Sequence, residues 1–366
     1  MRSHHPDLSS NFEPLSELDV ADPADVQDVA LAHRKRFLVP VRAPLVLVTQ
    51  VQRCGGTLLT QLLDGHSQLH VHPSELHLNK PKWIWPSIDP SKSAARLFDQ
   101  LQERHVSRNA KNGYQKLSAA EKAGNPRSAD LVLPFILPLS LQRSLFLALM
   151  EAQAPGTARD VLDHYATSYF NAWLDYAGLY QRAGAMYWLA FAARFMVEPA
   201  NVGRFFTDYP DGHFVVPVRD PVSWYASARV HAPEQYGDVE AALDLWRRCN
   251  ENALTAFDRH PDRVTFVSFE DLIVRPREAL TVLVRRLGMS LEPCLLQPTF
   301  NGMPVASDSS FGSKHGLDGS AVNRSDRLDA ALAAVVRDRT SALHDRLVAA
   351  ISTCGPVPAS PGARPS

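Results

Sequence analysis

One stretch constrains this chain more than any other: Pro44-Leu45-Val46-Leu47-Val48-Thr49-Gln50-Val51-Gln52-Arg53-Cys54-Gly55-Gly56-Thr57-Leu58-Leu59-Thr60-Gln61-Leu62-Leu63. An apolar, β-branched run stops at an arginine and two glycines, and an apolar pattern with helical spacing begins after them. That order predicts a strand, a tight loop and a helix N-terminus, which together aim backbone N–H groups at an anion. The glycines let the backbone come close to a phosphate, and Arg53 adds a fixed charge on a planar fork of donors. A Gly-Gly-Thr turn after a strand can also serve structure alone, so the phosphate cradle needs a second anchor.

The loop is not a Walker A motif, which places Lys-Ser/Thr after its last glycine to reach the β/γ-phosphates and Mg²⁺. Here the basic residue precedes the glycines and no Lys-Ser/Thr follows Gly56. Such a loop suits a nucleotide whose leaving group needs no metal. The second anchor is Phe214-Val215-Val216-Pro217-Val218, read as a strand, running into Arg219-Asp220-Pro221-Val222-Ser223-Trp224-Tyr225-Ala226-Ser227. Asp220-Pro221 marks a turn, and proline fits the first turn of the helix that follows. Ser227 then lies two turns along, where it and Arg219 can converge on one phosphate. Pro217 is a blemish, because a central strand has no use for a missing N–H.

These two anchors resemble the sulfotransferases that use 3′-phosphoadenosine 5′-phosphosulfate (PAPS). In that family a [KR]-S-G-T-T-x loop binds the 5′-phosphosulfate and R-x-P-x-x-x-x-x-S binds the 3′-phosphate. Arg53, Cys54, Gly55, Gly56, Thr57 and Leu58 match the first, and Arg219, Pro221 and Ser227 match the second with its spacing intact. Val264 to Leu272 resembles the family's late strand, followed by a helix through Pro276 and Leu280 to Leu287-Gly288, and the likeness continues through Pro298-Gly302 and Ser309-Phe311. The resemblance implies an α/β fold: a three-layer sandwich around a mainly parallel sheet, P-loop NTPase-like. It also implies in-line sulfuryl transfer from PAPS to an acceptor hydroxyl or amine, with Arg53 stabilising the leaving side and no metal. Ser227 would bind the 3′-phosphate or engage the positive residue of the loop.

Three departures bear on the chemistry. Cys54 and Gly56 replace the usual Ser and Thr, so Gly56 keeps its N–H but loses a hydroxyl, and Thr57 remains to supply one. Cys54, in an electropositive loop, is either a small buried filler or a thiol of lowered pKa. The family's late Arg-Lys-Gly element has no clean copy, and Lys314 or Arg324 stands in for it on the 3′-phosphate. The acceptor's proton needs a base, and His66, His70, His72, Glu75 and His77 crowd one segment. It resembles the H-P-x-E-L branch of the family, in which the carboxylate is the base. Glu75 is the first choice, His72 and His77 follow, and each could equally serve structure alone. Glu270-Asp271 reads as a helix start and His231 as a surface residue.

Composition agrees with a globular enzyme: 366 residues, 45% hydrophobic and 21% charged. A net charge of −1 argues against general nucleic-acid binding. Four cysteines without C-x-x-C spacing suit a reducing cytoplasm. The start has no apolar signal core, and Leu131–Met150, the longest apolar run, is too short and too polar to span a membrane. That run reads as a buried loop and helix lining the acceptor side. The expected organisation is a mobile extension over 1–40 with one helix near Val26–Lys35, a single domain over 41–353 and a disordered tail over 354–366. Val161 to Leu174 carries a helical apolar stripe, and Leu328 to Ile351 a terminal helix. Trp83, Trp85, Trp173 and Trp188 are either core or a platform for a carbohydrate, lipid, phenol, peptide or natural-product acceptor. A P-loop-like kinase or NTPase and a non-catalytic nucleotide-binding descendant are the other readings.

Overall fold

In the computed structural model the described residues are 23–78, 84–103, 106, 114–115, 132–133, 135–175, 178–179, 184–305, 317 and 319–355. The chain divides into two compact units, Met1–Leu38 and Val39–Ser366. In the first, helix α1 (Pro23–Arg36) ends in His33, Arg34, Lys35 and Arg36, and the last three are cations that complement the negative end of its dipole. Residues 1–22 and 356–366, on which the extension and tail expectations largely fall, lie outside the described residues.

The second unit is built on five strands: β1 (Leu45–Val48), β2 (Leu69–Glu75), β5 (Tyr187–Phe191), β6 (His213–Val218) and β7 (Val264–Ser268). Two residue pairs, β3 (Tyr114–Gln115) and β4 (Val132–Leu133), form a separate antiparallel ladder. The large sheet has the order β2-β5-β1-β6-β7 with every pairing parallel. Parallel strands are covered on both faces, which is why Leu45–Val48 is apolar throughout rather than alternating. On one side Val46, Val48, Leu189, Phe191, Val215 and Val267 share a core with α2 (Gly56–Leu63), α10 (Phe269–Val274) and α11 (Pro276–Arg286). On the other, Phe214 meets Phe205 of α6 (Pro199–Asp208) at 4.3 Å and Phe266 meets Phe257 of α9 (Val239–Arg259) at 5.5 Å. Helix, sheet and helix make the expected three layers.

The remaining helices are α3 (Ala94–Leu101), α4 (Leu139–Ala152), α5 (Ala158–Ala172), α7 (Pro221–His231), α8 (Pro233–Tyr236) and α12 (Ala330–Cys354). From Val161 on, α5 is buried on every side rather than along a stripe. Its polar residues find partners: Asn171 bonds both the N–H and the carbonyl of Val39, and Tyr209 donates to Asp163.

Two proline effects set local geometry. Pro217 is tolerated inside β6 because β1 ends first. The last bond between the two strands runs from Thr49 N to Val215 O, and Phe214 N bonds the β7 side, so the missing donor at 217 faces the space beyond β1. The late helix expected to run through Pro276 is instead two helices. Arg275, at φ −134 and ψ 57, leaves the helical region as a residue before proline tends to.

Candidate active site

A pocket opens at the carboxyl ends of the strands, where ligands of open α/β sheets bind. Each of the five strands delivers a lining residue there: Gln50 and Arg53 after β1, Glu75 ending β2, Phe191 ending β5, Arg219 after β6 and Phe269 after β7. Gly55, Gly56, Thr57 and Leu58 line it too, with Ala321, Arg324 and His231.

The loop is held by unusual backbone. Arg53 has φ 73 and Gly55 φ 92, both left-handed, a conformation that costs a residue with a side chain about 1–2 kcal/mol. Gly55 is the N-cap of α2 and has no Cβ to spare: one placed there would lie 2.4 Å from Phe269 Cδ2. At Gly56, the first residue of α2, a Cβ would lie 2.3 Å from Gln50 Nε2 and 2.5 Å from Phe191 Cε2. A side chain at 56 would thus require Gln50 and Phe191 to move, which accords with the glycine this chain has there.

Arg219 ties the two motifs together. One guanidinium nitrogen donates to the Arg53 carbonyl at 2.9 Å and the other to the Ala321 carbonyl at 2.6 Å, while the group stacks 4.5 Å from the centre of the Phe269 ring. It is 3% exposed, and burial pulls its pKa from 12.5 to about 10, leaving it cationic at neutral pH. Glu270, raised by its own burial, accepts the Asp220 N–H, and Asp220 accepts from Ser223 N to cap α7. Glu270 therefore braces the start of α7, and Asp271 lies in the first turn of α10, which Ser268 caps. Ser227 is fully buried and does not line the pocket. Its hydroxyl accepts from Arg53 Nε at 3.4 Å.

Cys54 is 2% exposed and burial drives its thiol well above the usual range, so the filler reading holds and the reactive-thiol one does not. All four cysteines are free. Lys314 lies outside the described residues, and Arg324, 4% exposed, lines the pocket in the place considered for both.

The histidine segment separates by face. His70 and His72, two residues apart on β2, point into the interior and stack on Phe170 and Tyr169 of α5. His72, a second choice as base after Glu75, does not stand at the pocket: it is 2% exposed and paired with buried Glu103 at 3.1 Å, and it is not among the lining residues. Burial opposes its charge, but Glu103 and the bond to the Ser74 carbonyl raise its pKa above the usual value. Burial lowers His70 to about 4. His66 is held by the Ser290 carbonyl and Gln68 N. Glu75 differs because the pairing of β2 with β5 shifts register between Val71 and Glu75, which turns the carboxylate to the pocket. His77 Nε2 sits 3.4 Å from it, and Glu103 accepts the His77 N–H, so one buried carboxylate fixes both ends of the segment that carries Glu75.

Of the two readings of the tryptophans, core holds for Trp85, Trp173 and Trp188, which are buried, and Trp83 lies outside the described residues. Helix α4 packs on α5, and no described residue of 131–150 lines the pocket. Sequence reasoning missed Gln50, Phe191 and Phe269. Only their places at strand ends could have signalled them. Among the described residues no group of three His, Cys, Asp or Glu is placed to hold a metal, and no helix is long and apolar enough to cross a membrane.

A five-stranded parallel sheet between helix layers, with a glycine loop after β1 and an Arg-x-Pro turn after β6, defines a P-loop-like sulfotransferase fold. Residues 44–293 match the sequence profile of the Sulfotransferase family, and the chain belongs to that family. Among solved structures it is similar to the sulfotransferase domain from the curacin biosynthetic pathway, at 18% identity over 82% of this chain and 98% of that one, TM-score 0.43. It is also similar to the sulfotransferase domain of the Synechococcus PCC 7002 olefin synthase, at 19% identity over 85% and 96%, TM-score 0.48. Sulfotransferase STF1 from Mycobacterium tuberculosis H37Rv is a third, at 17% identity over 87% and 81%, TM-score 0.39. No curated protein sequence matches the chain.

Proposed function

We propose that this sulfotransferase uses PAPS as donor and passes its sulfuryl group to an acceptor hydroxyl or amine. The observation that supports this best is the convergence of Arg53, the Gly55–Leu58 backbone, Arg219 and Glu75 on one pocket from the ends of three separate strands. The N-terminus of α2 receives the 5′-phosphosulfate. Arg219 and Arg324 face the 3′-phosphate. The acceptor approaches from the Glu75 side.

In the reaction the acceptor oxygen or nitrogen forms a bond to sulfur while the bond from sulfur to the bridging phosphate oxygen breaks. The electron pair leaves on the 5′-phosphate of 3′-phosphoadenosine 5′-phosphate (PAP), and the acceptor's proton goes to Glu75. Charge grows on the departing oxygen, so a guanidinium there stabilises the transition state more than the ground state. Arg53 serves that role and is held by Ser227 until the donor binds. That arrangement favours the loop-engaging role of Ser227 over direct phosphate binding. The phosphoryl-transfer template applies by analogy without its metal. The four free thiols accord with a cytoplasmic setting.

The test follows PAP release from PAPS in EDTA, with phenols, simple sugars, lipids and short peptides as acceptors. Acceptor-dependent release by the wild type, lost in Arg53→Ala, is the expected result. Turnover of ATP-Mg in place of PAPS would overturn the proposal.

A further inference from the structure

We infer that the side-chain carboxamide of Gln50 is a sulfuryl-contacting group that this chain uses in place of the loop hydroxyl it lacks. The inference rests on the PAPS reading above and extends it to a residue outside both motifs.

Gln50 follows β1 and lines the pocket, yet it is only 3% exposed. Its backbone carbonyl is committed, accepting from Arg194 N at 2.7 Å. Its side chain is not: Oε1 is buried and has no hydrogen-bond partner among the described residues. A buried polar group left unpaired is costly and calls for an explanation, a catalytic role or a bound ion among them.

The position of the amide says which part of the ligand it meets. Both of its ends lie over Gly56: a Cβ there would be 2.3 Å from Nε2 and 2.8 Å from Oε1. Gly56 opens α2, whose N-terminus carries the unsatisfied N–H groups that attract the donor's anionic end. The carboxamide thus occupies the volume that a side chain at position 56 would fill. Phe191, 2.5 Å from the same point, walls it in. Nε2 is the end nearer Gly56, so the N–H₂ group is the one placed to donate to a sulfuryl oxygen. Glu75 lines the same pocket, so the contact lies between the donor and the base. Gly56 and Gln50 therefore form a pair: the glycine leaves the space and the glutamine supplies the polar atoms.

PAPS and PAP differ by the sulfuryl group alone, so the ratio of their affinities isolates this contact. Calorimetric titration of both nucleotides is carried out on the wild type and Gln50→Met, an uncharged side chain of similar length. Losing a hydrogen bond to a charged group weakens binding roughly tenfold or more, so Gln50→Met is expected to lose at least that for PAPS and to bind PAP within about twofold of wild type. Gln50→Glu keeps the shape and sets an anion against the sulfuryl oxygens, and should widen the PAPS-to-PAP gap further. It decides the matter if Gln50→Met does not fold. Equal losses for both nucleotides, or none, overturn the assignment of Gln50 and leave the donor reading intact. A wild type that binds neither overturns both.

Discussion

Arg219 offers the sharpest test of how the two motifs are joined, because the burial of its charge offsets much of what its contacts contribute. Its two bonds to the Arg53 and Ala321 carbonyls are charge-assisted, roughly 1.5–3 kcal/mol each. Stacking on Phe269 adds about 0.5–2 kcal/mol. Against these stands the burial of a cation: a pKa drawn from 12.5 to about 10 corresponds to about 3 kcal/mol. Arg219→Met removes both sides of the balance and should cost the difference, about 0.5–5 kcal/mol, toward the lower end because the thioether can pack on the Phe269 ring. Arg219→Lys keeps a buried charge, but a single ammonium cannot span both carbonyls. It should cost about 3–5 kcal/mol, as broken buried charge contacts do. The conservative substitution is thus expected to be the more damaging one, read as urea midpoints at constant m-value. A lysine variant as stable as wild type, or more stable than the methionine variant, would refute the reasoning. Titration of PAP adds the functional half: Arg219→Met should weaken binding at least tenfold, and unchanged affinity would remove Arg219 from the nucleotide site.

Other substitutions probe neighbouring claims. Glu75→Gln should lower kcat by roughly 10²–10⁴ while PAP affinity holds within about twofold, and surviving turnover would move the base to His77. Gly55→Ala should destabilise by about 2–5 kcal/mol, from a left-handed alanine and a Cβ driven into the Phe269 ring. Phe269→Leu should relieve the second part alone, and a loss below about 1 kcal/mol for Gly55→Ala would falsify the loop geometry. The two buried histidines of β2 act in opposite directions with pH. His70 is neutral when folded, at about 4 against an ordinary 6.5, so its contribution is whole above 6.5 and fades, by about 3 kcal/mol, as pH falls to 4. His72 is raised, so its contribution is whole below 6.5 and fades as pH rises through its folded value. His70→Phe should flatten the acid limb of stability against pH in urea titrations, and an undiminished slope would contradict this.

The phosphate loop was legible because its signals are local: a β-branched run, an arginine, two glycines and a helical repeat lie within twenty residues. Arg219 and Ser227 were legible for the same reason, as a strand end and a proline-initiated helix. What the sequence hid is what depends on tertiary placement. Gln50 and Phe269 belong to the site only because parallel strands end side by side, and Ser227 reaches the loop through a contact 174 positions long. The histidine cluster looked uniform in sequence, yet the register shift before Glu75 sends the carboxylate to the pocket while His70 and His72 stay inside. Glu103, which holds that segment, carries no local mark at all. Pro276 was misjudged as an internal helix residue, although the restriction it places on Arg275 is itself a sequence rule.

The central claim is that this pocket holds a nucleotide bearing both 5′- and 3′-phosphates. Thermal unfolding with PAP, against 5′-AMP and ATP-Mg, tests it most directly. At a ligand concentration of about 100 Kd, native-state binding adds about 2.7 kcal/mol, which for a chain of this size raises Tm by roughly 3–4 °C. The expected result is that shift with PAP and little or none with the other two at equal concentration. A shift with ATP-Mg alone, or none with PAP at millimolar concentration, would contradict the claim.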